Sequence, residues 1–282
     1  MHCIINEGSA KLKVSVVKKI SKEMDVFYNP AMAMNRDISI LLLGSINKKN
    51  MQIADPLAAS GVRSIRFLKE LGSDKIKKIC VNDNDAGAVK SIRENLALNK
   101  IFHGKNQKIE IKNEDANLFL LSSSGFDYID IDPFGSPNYF LDSACKRLSR
   151  SGVLAVTATD TSALCGTFPK ACQRKYWAVP KKDAIMHETG LRILIRKAQL
   201  VAGQYDKALA VYEQVLEQMG EDEGEVDVSL FNRVGDLTLR QGRVTQAVSF
   251  YERAVDLYSD GGFFNNAIAL CNQLTAGVRQ AN

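Results

Sequence analysis

Phe126-Asp127-Tyr128-Ile129-Asp130-Ile131-Asp132-Pro133-Phe134-Gly135-Ser136-Pro137 is the stretch on which the fold turns. Its first seven residues are a short run of aromatic and β-branched side chains, which predicts a buried strand over 126–132. Two prolines and a glycine then break regular structure, so a rigid loop must follow the carboxylate of Asp132 directly, with the ring of Phe134 held two residues on. Beyond the loop, NYFLDSACKRLSR (138–150) spaces its apolar residues by three and four, the period of a helix.

The same order recurs along the first 160 residues. MQIAD (51–55), KKICVND (77–83), KIEIKNED (108–115) and GVLAVTAT (152–159) read as buried strands, and SIRFLKELG (64–72) and AGAVKSIRENLALNK (86–100) as helices between them. Strand and helix in turn imply an α/β fold, a parallel, doubly wound sheet. Ligands of such sheets bind beyond the carboxyl ends of the strands, where this chain places Asp55, Asp83, Asp115 and Asp132.

Each strand end carries a chemical suggestion beside a plainer one. Asp55-Pro-Leu-Ala-Ala-Ser-Gly61 is not G-x-G-x-x-G, so a diphosphate-binding loop gains little support, although small residues let a ligand approach the turn. A tight strand-to-helix connection explains it equally. Asp83 could accept both hydroxyls of a ribose or cap a helix. Asp115 could accept from an adenine amino group while the Ala116 N–H donates to the ring, or it too could be a cap. Arg63 is expected on a solvated surface. Asp132 with a neighbouring carbonyl could draw density from a base amine and take its proton, while Phe134 stacks on the base.

Composition bounds these options. The chain has 282 residues, 45% hydrophobic and 24% charged, with mean hydropathy −0.14, which suits a globular chain of one large or two ordinary domains and excludes disorder and collagen. The longest uncharged apolar stretch, Ile38 to Asn47, is far short of the roughly 18–20 residues of a membrane span. No secretory signal is evident either, so a cytoplasmic, non-membrane protein is expected. Six scattered cysteines and three histidines make no metal set, and Cys165 and Cys172 are expected to pack as core or pocket thiols. Residues 1–197 hold 31 basic and 20 acidic side chains against 6 and 12 in residues 198–282. The basic half is where nucleic acid would bind, and Lys170, Arg174, Lys175, Lys181 and Lys182 are its densest late cluster, suited to phosphates or to a solvated face.

The ordered elements EGSAKLKV, VFYNPAMAMNRDIS, DPLAASGVRSIRF, VNDND, EDAN, YIDIDPFGSPNYFLDSA, GVLAVTATDTSALCG, PKACQRKYWAVP and HETGLRILI closely resemble the tRNA (guanine(26)-N2)-dimethyltransferase family. The resemblance implies a Rossmann-like methyltransferase domain over residues 1–197 that uses S-adenosyl-L-methionine and acts on tRNA. By position it implies Asp132 as the catalytic acceptor, and Arg36 and Arg66 at the methionine carboxylate or lining its pocket. It gives Asp83 to the ribose, Asp115 and Ala116 to the adenine, and Phe27 and Phe134 to the two sides of the target guanine. A methyltransferase sheet of this class has seven strands, and strands six and seven are expected to be missing here.

Residues 198–282 change character. Eight of eleven glutamines lie there, only one of 23 lysines does, and no proline follows Pro180, so an all-α segment is predicted. Gly203, Tyr205, Ala208 and Tyr212 recur 39 positions on as Gly242, Val244, Ala247 and Tyr251, a pattern that resembles tetratricopeptide repeats. Such a segment would offer a surface to a peptide or protein partner. Two functions from different classes follow: a tRNA methyltransferase, and a catalytically impaired truncated or fused chain that acts as a repeat-mediated interaction module.

Overall fold

The computed structural model describes residues 2–15, 28–104, 107–203, 228–240 and 243–271. Contacts divide the chain into two units, Met1–Asp160 and Thr161–Asn282.

In the first unit, strands β1 (His2–Glu7) and β2 (Ala10–Ser15) form an antiparallel hairpin. Strands β3 (Met51–Asp55), β4 (Ile76–Asn82), β5 (Ile109–Lys112), β6 (Phe126–Ile131) and β7 (Leu148–Val156) form a parallel sheet in the order β5-β4-β3-β6-β7. Helices α1 (Ala33–Ser45), α2 (Val62–Glu70), α3 (Ala86–Leu98), α4 (Ala116–Ser122) and α5 (Asn138–Arg147) precede or connect the strands. The chain winds outward from β3 to β5, then returns to lay β6 against the other side of β3. The β3/β6 pair is therefore the point where winding reverses, the place a doubly wound sheet opens a crevice.

Alternation fills both faces of the sheet. Ile53 of β3 and Tyr128 of β6, which are register partners, pack on one face with Ile65, Phe67, Ile79, Val81, Ile92 and Leu96. Their successors Ala54 and Ile129 turn to the other face with Phe119, Leu120, Ile131 and Ala144. Burial on both sides explains why these strands read as continuous apolar runs.

Four sequence expectations change. The hairpin was not anticipated; Ala10, Leu12 and Val14 alternate inward and are buried in the first cluster, and Gly8 (φ +53) and Ser9 make the turn. A Cβ at Gly8 would collide with the Glu70 carboxylate and the Arg66 guanidinium. Strand β5 stops at Lys112 because the Glu114 N–H turns to donate to Asn82 Oδ1 and the Asn113 amide to Asp83 O. Helix α5 ends at Arg147, since Leu148 already pairs with Phe126 and the Ser149 hydroxyl donates to Phe126 O. Arg63 is not on a solvated surface: it is buried, because several carboxylates surround it.

Edge strand β7 is half-buried, and among the described residues no strand pairs beyond it.

In the second unit, α6 (Pro169–Tyr176) and α7 (Met186–Val201) are joined by Arg196, whose guanidinium donates to the carbonyls of Tyr176 and Trp177. Helices Val228–Arg240 and Val244–Asp260 pack on each other, with Ala247, Tyr251 and Ala254 buried and Gly235 against the Tyr251 ring. The Tyr251 hydroxyl donates to Asp236 Oδ1 at 2.7 Å. Of the eight residues in the repeat pattern, Tyr205, Ala208, Tyr212 and Gly242 lie outside the described residues. Among the described residues no helix is long and apolar enough to cross a membrane.

Candidate active site

A cavity of about 330 Å³ opens at the carboxyl edge of β3, β4 and β6. Its floor is Asp55 and the loop Leu57–Ala58–Ala59–Ser60, and its walls carry Arg36, Arg63, Asp83, Asp132, Pro133, Phe134 and Phe140. Tyr28, Asn29, Met32 and Thr159 also line it.

The loop after β3 is pinned from beneath. Gly61 sits at φ +73, a left-handed conformation that favours glycine, and a Cβ there would press within 3.3 Å of Ile92. The Asn95 amide donates to Ser60 O at 3.0 Å, and Asp83 Oδ2 accepts from the Ala59 N–H at 2.8 Å. Asn82 donates to the carbonyls of Pro56 and Glu114, so three strand ends share one polar knot. Burial pushes the Asp83 carboxyl up, against the N–H groups of Asp85 and Ala59 that favour its ionised form.

The loop after β6 is equally fixed. Gly135 (φ +88) donates its N–H to the Thr159 hydroxyl at 2.6 Å and accepts from the Thr159 N–H at 3.0 Å. Thr159, from the Thr157-Ala-Thr-Asp160 run, thereby holds Asp132-Pro133-Phe134 rigid over the cavity, with Phe134 exposed at its mouth.

Beneath these loops three carboxylates converge on one guanidinium. Arg63 Nη1 lies 3.1 Å from Asp130 Oδ2 and Nη2 lies 3.0 Å from Asp132 Oδ2. The same fork donates to Ser39 Oγ and Asn35 Oδ1, both at 2.8 Å. Burial raises the Asp55 carboxyl to about 7, the nearby Asp130 charge adds to the rise, and a hydrogen bond from Ser64 opposes it. Burial also raises Asp130, against the pull of Arg63 and a 2.6 Å hydrogen bond from the Tyr128 hydroxyl. Asp130 Oδ1 is buried and has no hydrogen-bond partner among the described residues.

A second ion network adjoins the cavity and shares Arg36 and Tyr28 with its lining. Glu7 accepts from Arg36 Nε at 2.7 Å and from Arg66 Nη1 at 3.0 Å, and the Tyr28 hydroxyl donates to it at 2.7 Å. Burial works against the Glu7 charge, but Arg36, Tyr28 and Arg66 outweigh it and hold the carboxyl below its ordinary value. Arg66 also pairs with Asp37 and Glu70, and these partners, Glu70 foremost, strengthen its hold on its proton.

Of the residues singled out in the sequence, the cavity brings together Arg36, Asp83, Asp132 and Phe134. Arg66, Asp115 and Ala116 are not among its lining residues: Arg66 is occupied by carboxylates, and Asp115 caps α4 by accepting from the Asn117 and Leu118 N–H groups. Phe27 lies outside the described residues. Sequence reasoning missed Arg63, Asn35, Ser39 and Glu7. For Arg63 a signal existed, since Asp55, Asp130 and Asp132 crowded at adjoining strand ends demand a counter-charge. In the second unit Cys165 and Cys172 are buried, with Cys165 Sγ 3.4 Å from His187 Nδ1, while Lys170, Arg174, Lys181 and Lys182 are exposed.

A parallel sheet wound about β3, with a small-residue loop, a carboxylate on the neighbouring strand end and an Asp-Pro-Phe loop over one cavity, defines a Rossmann-like methyltransferase fold. Within that class, the chain belongs to the N2,N2-dimethylguanosine tRNA methyltransferase family, whose model matches residues 8–216. A tRNA (guanine(26)-N(2)/guanine(27)-N(2))-dimethyltransferase of Aquifex aeolicus is 44% identical over 212 residues, covering 73% of this chain and 53% of that protein. A tRNA (guanine(26)-N(2))-dimethyltransferase of Methanothermobacter thermautotrophicus is 42% identical over 211 residues, with the same coverage. Trm1 from Pyrococcus horikoshii, solved with S-adenosyl-L-methionine, superposes with a TM-score of 0.64 at 38% identity, covering 72% of this chain and 55% of that one. The chain spans about half the length of the curated relatives it matches.

Proposed function

We propose that this chain transfers methyl groups from S-adenosyl-L-methionine to the exocyclic N2 amine of guanosine 26 in tRNA. The observation that carries the reading is Asp132. One of its oxygens is anchored to Arg63, and the carboxylate borders the cavity that also holds Asp83 and the small-residue loop.

The residues fit the cofactor by their chemistry. Asp83 accepts from the ribose hydroxyls, Ala58 and Ala59 let the chain of the ligand lie close, and Arg36 faces the methionine carboxylate. Arg66 acts behind it, sharing Glu7 with Arg36. Asp115 and Ala116 border the adenine side. The cofactor supplies a methyl group on a cationic sulfur that leaves as a neutral thioether.

The protein's task is to make a poor nucleophile react. The N2 lone pair is delocalised into the guanine ring, so Asp132 accepts a hydrogen bond from N–H and returns electron density to nitrogen. As the nitrogen–carbon bond forms, the sulfur–carbon pair goes to sulfur and the amine proton goes to Asp132, then to water. Phe134 on one side of the base, with Phe27 as its counterpart, fixes the in-line approach of a guanosine drawn out of its stack. Lys170, Arg174, Lys175, Lys181 and Lys182 serve the tRNA phosphates.

Transfer of radiolabelled methyl to an unmodified tRNA transcript, followed by nucleoside analysis, tests this. Wild-type chain should yield N2-methylated guanosine at position 26 and Asp132→Ala should not, with the fold intact by circular dichroism. Equal activity of the two removes Asp132 from the mechanism.

A second reading concerns residues 198–282, which we read as tetratricopeptide-like helices that take a peptide partner. Exposed Phe263, Phe264 and Ile268 support it.

A further inference from the structure

We propose that Arg63 is the residue that positions Asp132 for catalysis, an assignment that rests on reading this cavity as the site of methyl transfer to the guanine amine. Arg63 Nη2 holds Asp132 Oδ2 at 3.0 Å, and none of the hydrogen bonds among the described residues uses Oδ1. Holding one oxygen narrows the rotation of the carboxylate and leaves the other oxygen to accept from the amine. The acceptor is then aimed before substrate arrives, and no side-chain reorganisation is charged to the reaction.

The anchor is itself immobile. Arg63 is buried at 6% exposure, and its other contacts run to Asn35 Oδ1, Ser39 Oγ and Asp130 Oδ2. Four acceptors in fixed places use the planar fork of a guanidinium, a pattern that a lysine ammonium, with its point charge and free rotation, cannot reproduce. Asn35 and Ser39 lie on α1, Asp130 lies in β6 and Asp132 follows it, so Arg63 also ties the helix before the sheet to the catalytic loop. Asp130 has a distinct place in this scheme. It holds Nη1 of Arg63 while Asp132 holds Nη2, so that the guanidinium cannot withdraw from the loop without leaving a buried carboxylate without its counter-charge.

The proposal separates orientation from binding. Loss of the anchor leaves Asp132 present and Asp83 untouched, so the turnover number should fall while cofactor affinity stays. The test is steady-state methyl transfer to the unmodified tRNA transcript by the full chain, with S-adenosyl-L-methionine affinity by calorimetry and melting temperature recorded for each variant. Because Arg63→Met alone strands the carboxylates of Asp130 and Asp132, Arg63→Met is combined with Asp130→Asn, which removes the buried charge together with its counter-charge, and Asn35→Ala removes one holding contact only. The expected result is a turnover number lowered about 100-fold in the double variant and about 10-fold in Asn35→Ala, the scale on which misplacing a reacting group by about 1 Å acts. Cofactor affinity should change less than about threefold in both, and Arg63→Lys should recover only part of the loss. Folded variants with wild-type turnover, or with loss confined to cofactor affinity, overturn the positioning role and leave the methyltransferase reading standing. A folded wild-type chain that binds the cofactor and transfers no methyl overturns that reading and this assignment with it.

Discussion

Asp83 Oδ2 accepts the Ala59 N–H at 2.8 Å, so the carboxylate at the end of β4 braces the small-residue loop at the end of β3. The same carboxylate caps its own turn through the Asp85 N–H at 2.9 Å. Asp83→Ala therefore removes both the proposed ribose acceptor and a brace of the loop beneath the ligand. Cofactor dissociation constant measured by calorimetry should rise by about tenfold or more, the equivalent of one or two lost hydrogen bonds to a charged group. Asp83→Asn keeps an acceptor for Ala59 and should rise less. Equal loss in both variants would assign the effect to charge and not to the brace.

Glu7 stabilises by a different route. It is the carboxylate that Arg36 and Arg66 share, and it fastens the hairpin to α1 and α2. Removing one member of a buried ion network strands the others, at a cost of about 3–5 kcal/mol. Glu7→Ala should lower unfolding stability by that order in urea titrations near neutral pH. Because the folded carboxyl titrates below its ordinary value of 4.5, the stabilisation is present above that pH and is lost as pH falls through the folded value. The gap between wild type and variant should accordingly narrow in acid. A gap that persists unchanged through acid would show that Glu7 acts by packing alone.

The strands β3, β4 and β6 were legible because a strand buried on both faces must be apolar along its whole length, and turn residues mark its end. The acids at those ends were legible for the same reason: a charge closes an apolar run. Asp83, Asp132 and Phe134 could be placed at one cavity from sequence because each follows a strand of the same parallel sheet. The partners of the arginines were not. Arg63 and Arg66 are three apart on α2 and look alike in sequence, yet one faces Asp130 and Asp132 and the other faces Glu7, Asp37 and Glu70. That choice depends on where a hairpin some 50 residues away docks, a long-range fact that no local period carries. The hairpin itself is short; its second strand alternates Ala10, Leu12 and Val14 inward with Lys11 and Lys13 outward, but that pattern does not say which helices it docks on.

Phe134 is exposed at the cavity mouth on a loop locked by Gly135 and Thr159. A ring that borders the cavity on a rigid loop is placed where a base entering the cavity would stack. Stacking of this kind is worth about 1–3 kcal/mol per base. Phe134→Ala should lower kcat/KM for tRNA by about 10- to 100-fold while the calorimetric affinity for the cofactor is retained, and Phe134→Tyr should keep most of the activity. A parallel drop in cofactor affinity would move Phe134 from the base side of the cavity to the cofactor side.

Asp55 gives the fold a pH dependence opposite in sign to that of Glu7. Its carboxyl is wholly buried under the cavity, close to Asp130, and titrates at about 7 against an ordinary value of 3.8. Between these values the folded chain holds a proton that the unfolded chain has released, so the contribution is fully present below about 3.8 and is lost as pH rises through about 7. Asp55→Asn replaces the ionising group by a neutral one of the same shape whose carbonyl can still accept from Ser64. The variant's advantage in stability over wild type should grow as pH rises from about 4 to about 7 and level off above that, reaching an amount of order 1–2 kcal/mol after relaxation around the buried charge. Thermal unfolding followed across that range by circular dichroism reads the difference directly, and a difference that is flat with pH would show that Asp55 does not change charge in the folded chain.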